Sequence, residues 1–262
     1  MNLPKTHEQL EREKQIVAQA ALGWVRTGMT VGLGTGTTAR YFIGLLGEQV
    51  RRGALQVTAV ASSRESEEVA RQAGLTLIEP RRGLRLDVTI DGADEIAPDL
   101  SLIKGGGGAL LREKVLAQAA RYFLVIGDSS KQVQRLGAFP LPVEVIPFAA
   151  PWVMDRLESL GAPDPAVRMG RSGEPYLTDQ RNYIIDCRFG VIENPAALGS
   201  RLKEIPGVVE HGLFLPGVIP DRAEAALVCS GVDIMVLRPG VPAAGLSDLQ
   251  DRGNEGPFLK PA

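Results

Sequence analysis

The chain has 262 residues, 44% hydrophobic and 23% charged, an ordinary globular mixture that excludes both a disordered chain and a miniprotein held by disulfides or a metal. Its 29 basic and 31 acidic residues leave a net charge of −2, so no global field attracts a polyanion, which argues against broad nucleic-acid binding. Cys187 and Cys229 match no metal or redox spacing and read as reduced core residues of a cytoplasmic chain. No secretory signal opens the sequence. The least charged long stretch, 136–154, holds Glu144 and four prolines, which argues against a membrane-spanning helix.

Thr6 with Gln9 forms a capping box, and Leu10, Val17, Ala21 and Trp24 then recur at helical spacing until Gly28. A strand at 30–33, a glycine-rich turn, a helix at 37–52 stopped by Gly53 and a strand at 55–61 make a βαβ unit. The alternation continues with a helix at 64–73, strands at 76–78 and 86–90, a helix at 109–120 and a strand at 122–126. This order predicts an α/β fold, a mostly parallel Rossmann-like sheet with helices on both faces. From Gly137 the texture changes. Strand 143–146, helix 151–160, strands 166–169 and 183–189, helix 195–204 and strand 208–214 give the order βαββαβ of a ferredoxin-like α+β domain, placed at 137–216. Strands at 225–229 and 232–237 are too few to stand alone and are expected to rejoin the first sheet. The large domain is then 1–136 with 217–240, the small one an insertion, and 241–262 a flexible tail rich in proline and glycine.

Three clusters carry chemistry. In Gly32-Leu33-Gly34-Thr35-Gly36-Thr37-Thr38-Ala39 a strand turns into a helix, so backbone N–H groups, the helix dipole and threonine hydroxyls converge on an approaching anion. The spacing also meets the loose dinucleotide fingerprint, yet the second strand ends in Ser62-Ser63 where an acid for the ribose is required. A purely structural tight turn is the bland alternative. The second cluster, Asp91-Gly92-Ala93-Asp94-Glu95, follows an apolar strand at the carboxyl end where open α/β sheets place ligands. It reads as a polar-guest site, against a solvated acidic turn or a magnesium site. The third, Lys104-Gly105-Gly106-Gly107-Gly108, precedes a helix carrying Arg112-Glu113-Lys114, by itself an ordinary charged face. Four glycines cost much ordering entropy, so their amides are expected to approach a ligand closely, with Glu113 one turn into the helix. Lys131, after strand 122–126, would complete an anion site. Together these groups fit a small phosphorylated polyol and acid–base chemistry. His7 and His211 match nothing and are expected on the surface.

These motifs, with the stretch 139–147, resemble the ribose-5-phosphate isomerase A family, and the similarity runs to about Leu237. The resemblance implies interconversion of ribose 5-phosphate and ribulose 5-phosphate without metal or organic cofactor, by a homodimer or homotetramer, with no nucleic-acid or membrane partner. It places the catalytic base on Glu113 and the other active-site residues on Asp91, Asp94 and Lys104. Substrate contacts fall on Thr35, Gly36, Thr37 and Thr38; on Asp91, Gly92, Ala93 and Asp94; on Lys104, Gly105, Gly106 and Gly107; and on Lys131, with Lys14 a further phosphate candidate. Asp91 is expected to move protons between O1 and O2, and Asp94 to assist ring opening. The alternatives are a phosphosugar sensor without catalysis, which needs a DNA-reading domain that a single helix before Gly32 does not supply, and an amino-sugar phosphate deaminase on a similar scaffold.

Overall fold

A computed structural model describes residues 5–217 and 223–250. Thr6 caps the first helix, α1 (His7–Ala21), through a complete capping box with Gln9. After it come β1 (Thr30–Leu33), α2 (Thr37–Arg51), β2 (Thr58–Ala61), α3 (Arg64–Gln72), β3 (Thr76–Leu77) and β4 (Leu86–Asp91). Next are β5 (Glu95–Ile96), β6 (Leu102–Ile103), α4 (Leu110–Ala119) and β7 (Ala120–Asp128). A second group follows: β8 (Leu141–Val145), α5 (Ala150–Ser159), β9 (Ala166–Val167), β10 (Tyr183–Cys187), α6 (Pro195–Lys203) and β11 (Val208–His211). The described chain closes with β12 (Leu213–Phe214), β13 (Ala223–Ser230), β14 (Asp233–Arg238), β15 (Val241–Gly245) and α7 (Leu246–Gln250).

The large sheet has the order β15-β14-β13-β7-β4-β1-β2-β3, and its strands from β13 to β3 run parallel. The chain builds outward from β1 to β3 and then crosses back to β4 on the other side of β1. That reversal opens a crevice beyond the carboxyl ends of β1 and β4, where doubly wound folds bind ligands. Alternation along β7 covers both faces. Tyr122, Leu124 and Ile126 pack with Val17 and Trp24 near α1 and with Phe42 and Leu46 of α2, whereas Phe123 and Val125 pack with Ala117 of α4 and with Phe214. Burying a side chain such as Phe42 is worth about 1.5–3 kcal/mol.

The second group forms an antiparallel sheet in the order β11-β8-β10-β9, the pairing of a βαββαβ unit, with a core of its own from Val143, Ile185, Val153, Leu157 and Leu202. Strands β13 and β14 rejoin the large sheet, as the sequence leads one to expect.

Several expectations need correction. The run 208–214 is not one strand: it breaks at Gly212, and β12 leaves to pair with β6 in a three-stranded sheet, β12-β6-β5. Two-residue strands carry no periodic signal, which hides β5 and β6 from the sequence. Strand β2 begins at Thr58 rather than at 55. Residues 241–250 are not a loose tail, since a turn at Gly240 (φ 68) folds β15 back on β14 and covers an otherwise open edge; residues 251–262 lie outside the described residues. His7 is exposed as expected, but His211 is buried, its Nδ1 accepting the Leu213 N–H. Among the described residues no helix is long and apolar enough to cross a membrane.

Candidate active site

Where β1 passes into α2, Gly34 donates its N–H to Ile90 O of β4 at 2.9 Å. A Cβ there would lie 2.0 Å from Asp91 Oδ1, so only glycine lets the turn and the acidic loop meet. The Thr35 N–H donates to the same Oδ1 at 3.1 Å. Its hydroxyl lies in a buried cluster with those of Ser62, Ser63 and Ser66, at 2.7, 2.8 and 3.2 Å. This corrects the expectation of three converging threonine hydroxyls: the serines at the end of β2 take up the Thr35 hydroxyl. Gly36 then starts α2 with φ 107 and no side-chain cap, leaving the first-turn amides at Thr37 and Thr38 open to an anion.

The three acids of the second cluster separate. Asp91, at the end of β4, is fully buried. Asp94 accepts the Gly106 N–H at 2.7 Å. Glu95 faces away and accepts the N–H groups of Gly137 and Phe139 at 2.7 and 2.5 Å, a structural clasp. Lys104 follows β6, held by its N–H on Gly212 O at 2.9 Å, and its amine stands among Asp91 Oδ2 at 2.9 Å, Glu113 Oε2 at 3.2 Å and the Gly92 carbonyl, to which it donates at 2.6 Å. One cation thus faces two carboxylates, all three at most 3% exposed.

That imbalance sets their protonation. Burial, then the neighbouring Asp91 charge, pushes Glu113 up to about 8. Burial also raises Asp91, against the pull of Lys104. For Lys104, burial works against the charged form, but the flanking carboxylates outweigh it and raise it above the ordinary amine value. The triad therefore holds a permanent ammonium and a carboxyl that exchanges its proton near neutrality.

One cleft gathers Thr35, Gly36, Thr37, Thr38, Gly92, Ala93, Asp94, Lys104, Gly105, Gly106, Gly107, Glu113 and Lys131. Two expected residues stand apart. Asp91 is fully buried and is not among the residues that line the cleft: its Oδ1 accepts the Thr35 and Gly92 N–H groups and its Oδ2 pairs with Lys104. Lys14 pairs with Glu11 at 2.7 Å on α1 and does not line the cleft. Sequence reasoning missed the supports behind α4. Arg112 donates to Glu67 at 2.9 Å and Asp179 at 3.1 Å, and Lys114 to Glu210 at 2.8 Å, so the charged face flanking Glu113 is a set of tertiary clamps. It also missed Arg168, which reaches the glycine loop, and Tyr176, which packs on Gly108. No spacing rule signals such partners. A roomier cavity of about 400 Å³ lies between α4 and α6, but its charges, Lys114, Lys203 and Glu210, are already paired. Among the described residues no group of three or more histidine, cysteine or acidic side chains is arranged to hold a metal.

An acid–base centre at the switch point of a doubly wound sheet, beside an uncapped helix start and a lysine, defines an enzyme class acting on small phosphorylated molecules. The model of ribose 5-phosphate isomerase A (phosphoriboisomerase A) matches residues 58–225. Ribose-5-phosphate isomerase A of Sphingopyxis alaskensis is 45% identical over 228 residues, 87% of this chain and 96% of that protein. Among solved structures, ribose 5-phosphate isomerase A of Methanocaldococcus jannaschii superposes with a TM-score of 0.80 at 37% identity, covering 87% of this chain and 99% of the other. A D-ribose-5-phosphate isomerase in complex with phospho-erythronic acid gives 0.82 at 35%, with the same coverage. The chain belongs to the ribose 5-phosphate isomerase A family.

Proposed function

We propose a division of labour for the reaction of this family, the aldose–ketose interconversion of D-ribose 5-phosphate and D-ribulose 5-phosphate. The reaction removes the C2 proton to give an enediolate, moves the hydroxyl proton from O2 to O1, and returns the first proton to C1. Glu113 is the general base and carries the proton, because its carboxyl lines the cleft and is held near 8 by burial and Asp91. Lys104 stabilises the enediolate oxygen together with the glycine-loop amides, a type of contact whose loss commonly costs about 3 kcal/mol of barrier. Asp91 keeps Lys104 charged and oriented from below and raises Glu113. Asp94, at the cleft wall, assists ring opening of the furanose. The phosphate rests on the first-turn amides of α2 with Lys131.

The observation that carries this reading is the buried arrangement of one ammonium between two carboxylates at the switch point. The test is Glu113→Gln, which preserves shape and removes basicity. Turnover of ribose 5-phosphate is expected to fall about 10³-fold, with KM within about threefold. Wild-type-like kcat would remove Glu113 from the mechanism. We also assign the chain to the cytoplasm, in keeping with its two buried free cysteines, and to a homodimer or homotetramer, which light scattering on the purified protein tests. The domain division 1–136 with 217–240, and 137–216, is supported by the separate cores of the two larger sheets.

A further inference from the structure

Two consecutive carbonyls of the glycine loop are held from outside the large sheet. Arg168 follows β9, and its guanidinium forms a fork on Asp186 of β10: Nε donates to Oδ2 at 2.9 Å and Nη2 to Oδ1 at 2.5 Å. The remaining nitrogen, Nη1, donates to Gly105 O at 2.8 Å and Gly106 O at 3.1 Å. Because the Asp186 fork fixes the guanidinium plane, the direction of Nη1 is fixed as well.

In a trans peptide the carbonyl and the following N–H point to opposite sides. Turning Gly105 O toward Arg168 aims the Gly106 N–H the other way, where it meets Asp94 Oδ2 at 2.7 Å. Turning Gly106 O toward Arg168 likewise aims the Gly107 N–H away from the arginine, on the side of the cleft that Gly107 lines. Glycine peptides have no side chain to resist rotation, and Gly105, at φ 107, already occupies a region open to glycine. Within the loop the Gly108 N–H donates to Gly105 O at 3.0 Å, and the Gly106 carbonyl is held by Arg168.

We propose that Arg168 is a positioning residue for the isomerisation, setting the direction in which the Gly106 and Gly107 amides face Asp94 and the reacting sugar. The antiparallel unit contributes no member of the acid–base set, yet through Arg168 it fixes the donor edge of the cleft. This inference rests on the isomerase reading above and adds a residue to it. An arginine that merely held the two sheets together would affect stability and leave kcat of the folded enzyme unchanged.

Steady-state conversion of ribose 5-phosphate by Arg168→Ala, Arg168→Lys and Asp186→Asn, with thermal melts of each, tests it. For Arg168→Ala, kcat is expected to fall about 10–100-fold, less than or comparable to the loss of one oxyanion donor, with KM within about threefold. Guanidinium ion at about 50 mM, a compact version of the missing fork, restores part of that kcat. Asp186→Asn shows a smaller loss that is not additive with Arg168→Ala. Should Arg168→Ala fail to fold, Arg168→Lys decides, since an ammonium keeps the charge but lacks the fork that engages Asp186 and both carbonyls together. A folded variant with kcat within about twofold of wild type, or one changed in KM alone, overturns the proposal. Glu113→Gln is measured alongside: if it stays active, the base assignment fails whatever Arg168 does, whereas an inert Glu113→Gln with unimpaired Arg168 variants overturns the positioning role alone.

Discussion

Lys104 can neutralise one carboxylate, and the site gives it two. The surplus negative charge is what makes Glu113 a base, and it also makes the ionised site costly to fold. Because Glu113 is raised from about 4.5 to about 8, the folded state binds more protons than the unfolded chain between those values. Its contribution to stability is therefore present below pH 4.5 and lost as the pH climbs through 8. Glu113→Gln keeps a neutral, similarly shaped side chain and leaves Lys104 with Asp91 as a balanced pair. Its melting temperature is expected to match wild type near pH 5 and to exceed it at pH 9 by several degrees, at roughly 2–4 °C per kcal/mol for a chain of this size. Melts at the two pH values decide it: a gap that closes or reverses as pH rises would mean that the protein stabilises Glu113 as an anion. At this scale the sequence was informative about residue types, because Lys104, Asp94 and Glu113 fall where the motifs place them. It was uninformative about direction. The Thr35 hydroxyl and the Asp91 carboxylate turn inward to partners, Ser62 and Lys104, that only the closing of β1 against β2 and β4 brings near.

Among the elements, α1 has a role that its amphipathic pattern hides. Glu13 is buried at its inner face and accepts N–H groups from Ser129 at 3.0 Å and Gly231 at 2.6 Å, the Ser129 hydroxyl at 2.8 Å, and a bond from Lys5. It thereby pins the short turn, Ser129–Lys131, that carries Lys131 to the cleft. Two variants separate anchoring from contact. Lys131→Ala removes only the phosphate partner and should raise KM about tenfold with kcat and melting temperature nearly unchanged. Glu13→Ala strands buried donors at about 1–3 kcal/mol each, so it should lower the urea midpoint and raise KM as well. Kinetics and urea titrations of both proteins check this, and an unchanged KM for Lys131→Ala would place the phosphate elsewhere. Elements with caps and stops, such as α1 behind Thr6 and α2 before Gly53, were legible in the sequence. The two-residue strands β5, β6 and β12 were not, since their existence depends on Gly212 allowing the chain to pass within reach of Lys104 O, where a Cβ would sit at 2.3 Å. The same holds for Arg168, whose target carbonyls lie more than sixty residues away in the chain.

At the scale of the whole molecule, the buried charges outside the cleft carry the opposite sign of pH dependence from Glu113. Burial, reinforced by the Lys114 charge, outweighs the opposing pull of Glu210, 3.9 Å from the ring, and holds His211 down to about 3. Glu210, although burial opposes its charge, is drawn to about 2 by Lys114, and Glu13 to about 2 by the donors from Gly231, Lys5 and Ser129. For each, the unfolded chain binds more protons than the folded one below its ordinary value. Their stability is in place above pH 6.5 for His211 and above 4.5 for the two glutamates, and it is lost on acidification toward 3 and 2. These groups sit at the junctions of α4 with β11 and of α1 with β13, so acid loosens the contacts that hold α4 and Lys131 against the sheet. Stability should consequently rise from pH 3 to about 4.5, stay level to about 6.5 while the His211 gain and the Glu113 loss offset each other, and decline from there toward pH 8. The acid limb of kcat/KM, in contrast, should follow the Glu113 base form upward to about pH 8. Urea midpoints and kcat/KM measured from pH 4 to 9 would show stability falling above about pH 6.5 while kcat/KM still climbs toward about 8, and His211→Gln should turn the level stretch between pH 4.5 and 6.5 into a decline without moving the kinetic limb. Coincident maxima would show that the base acts without its elevated affinity for the proton.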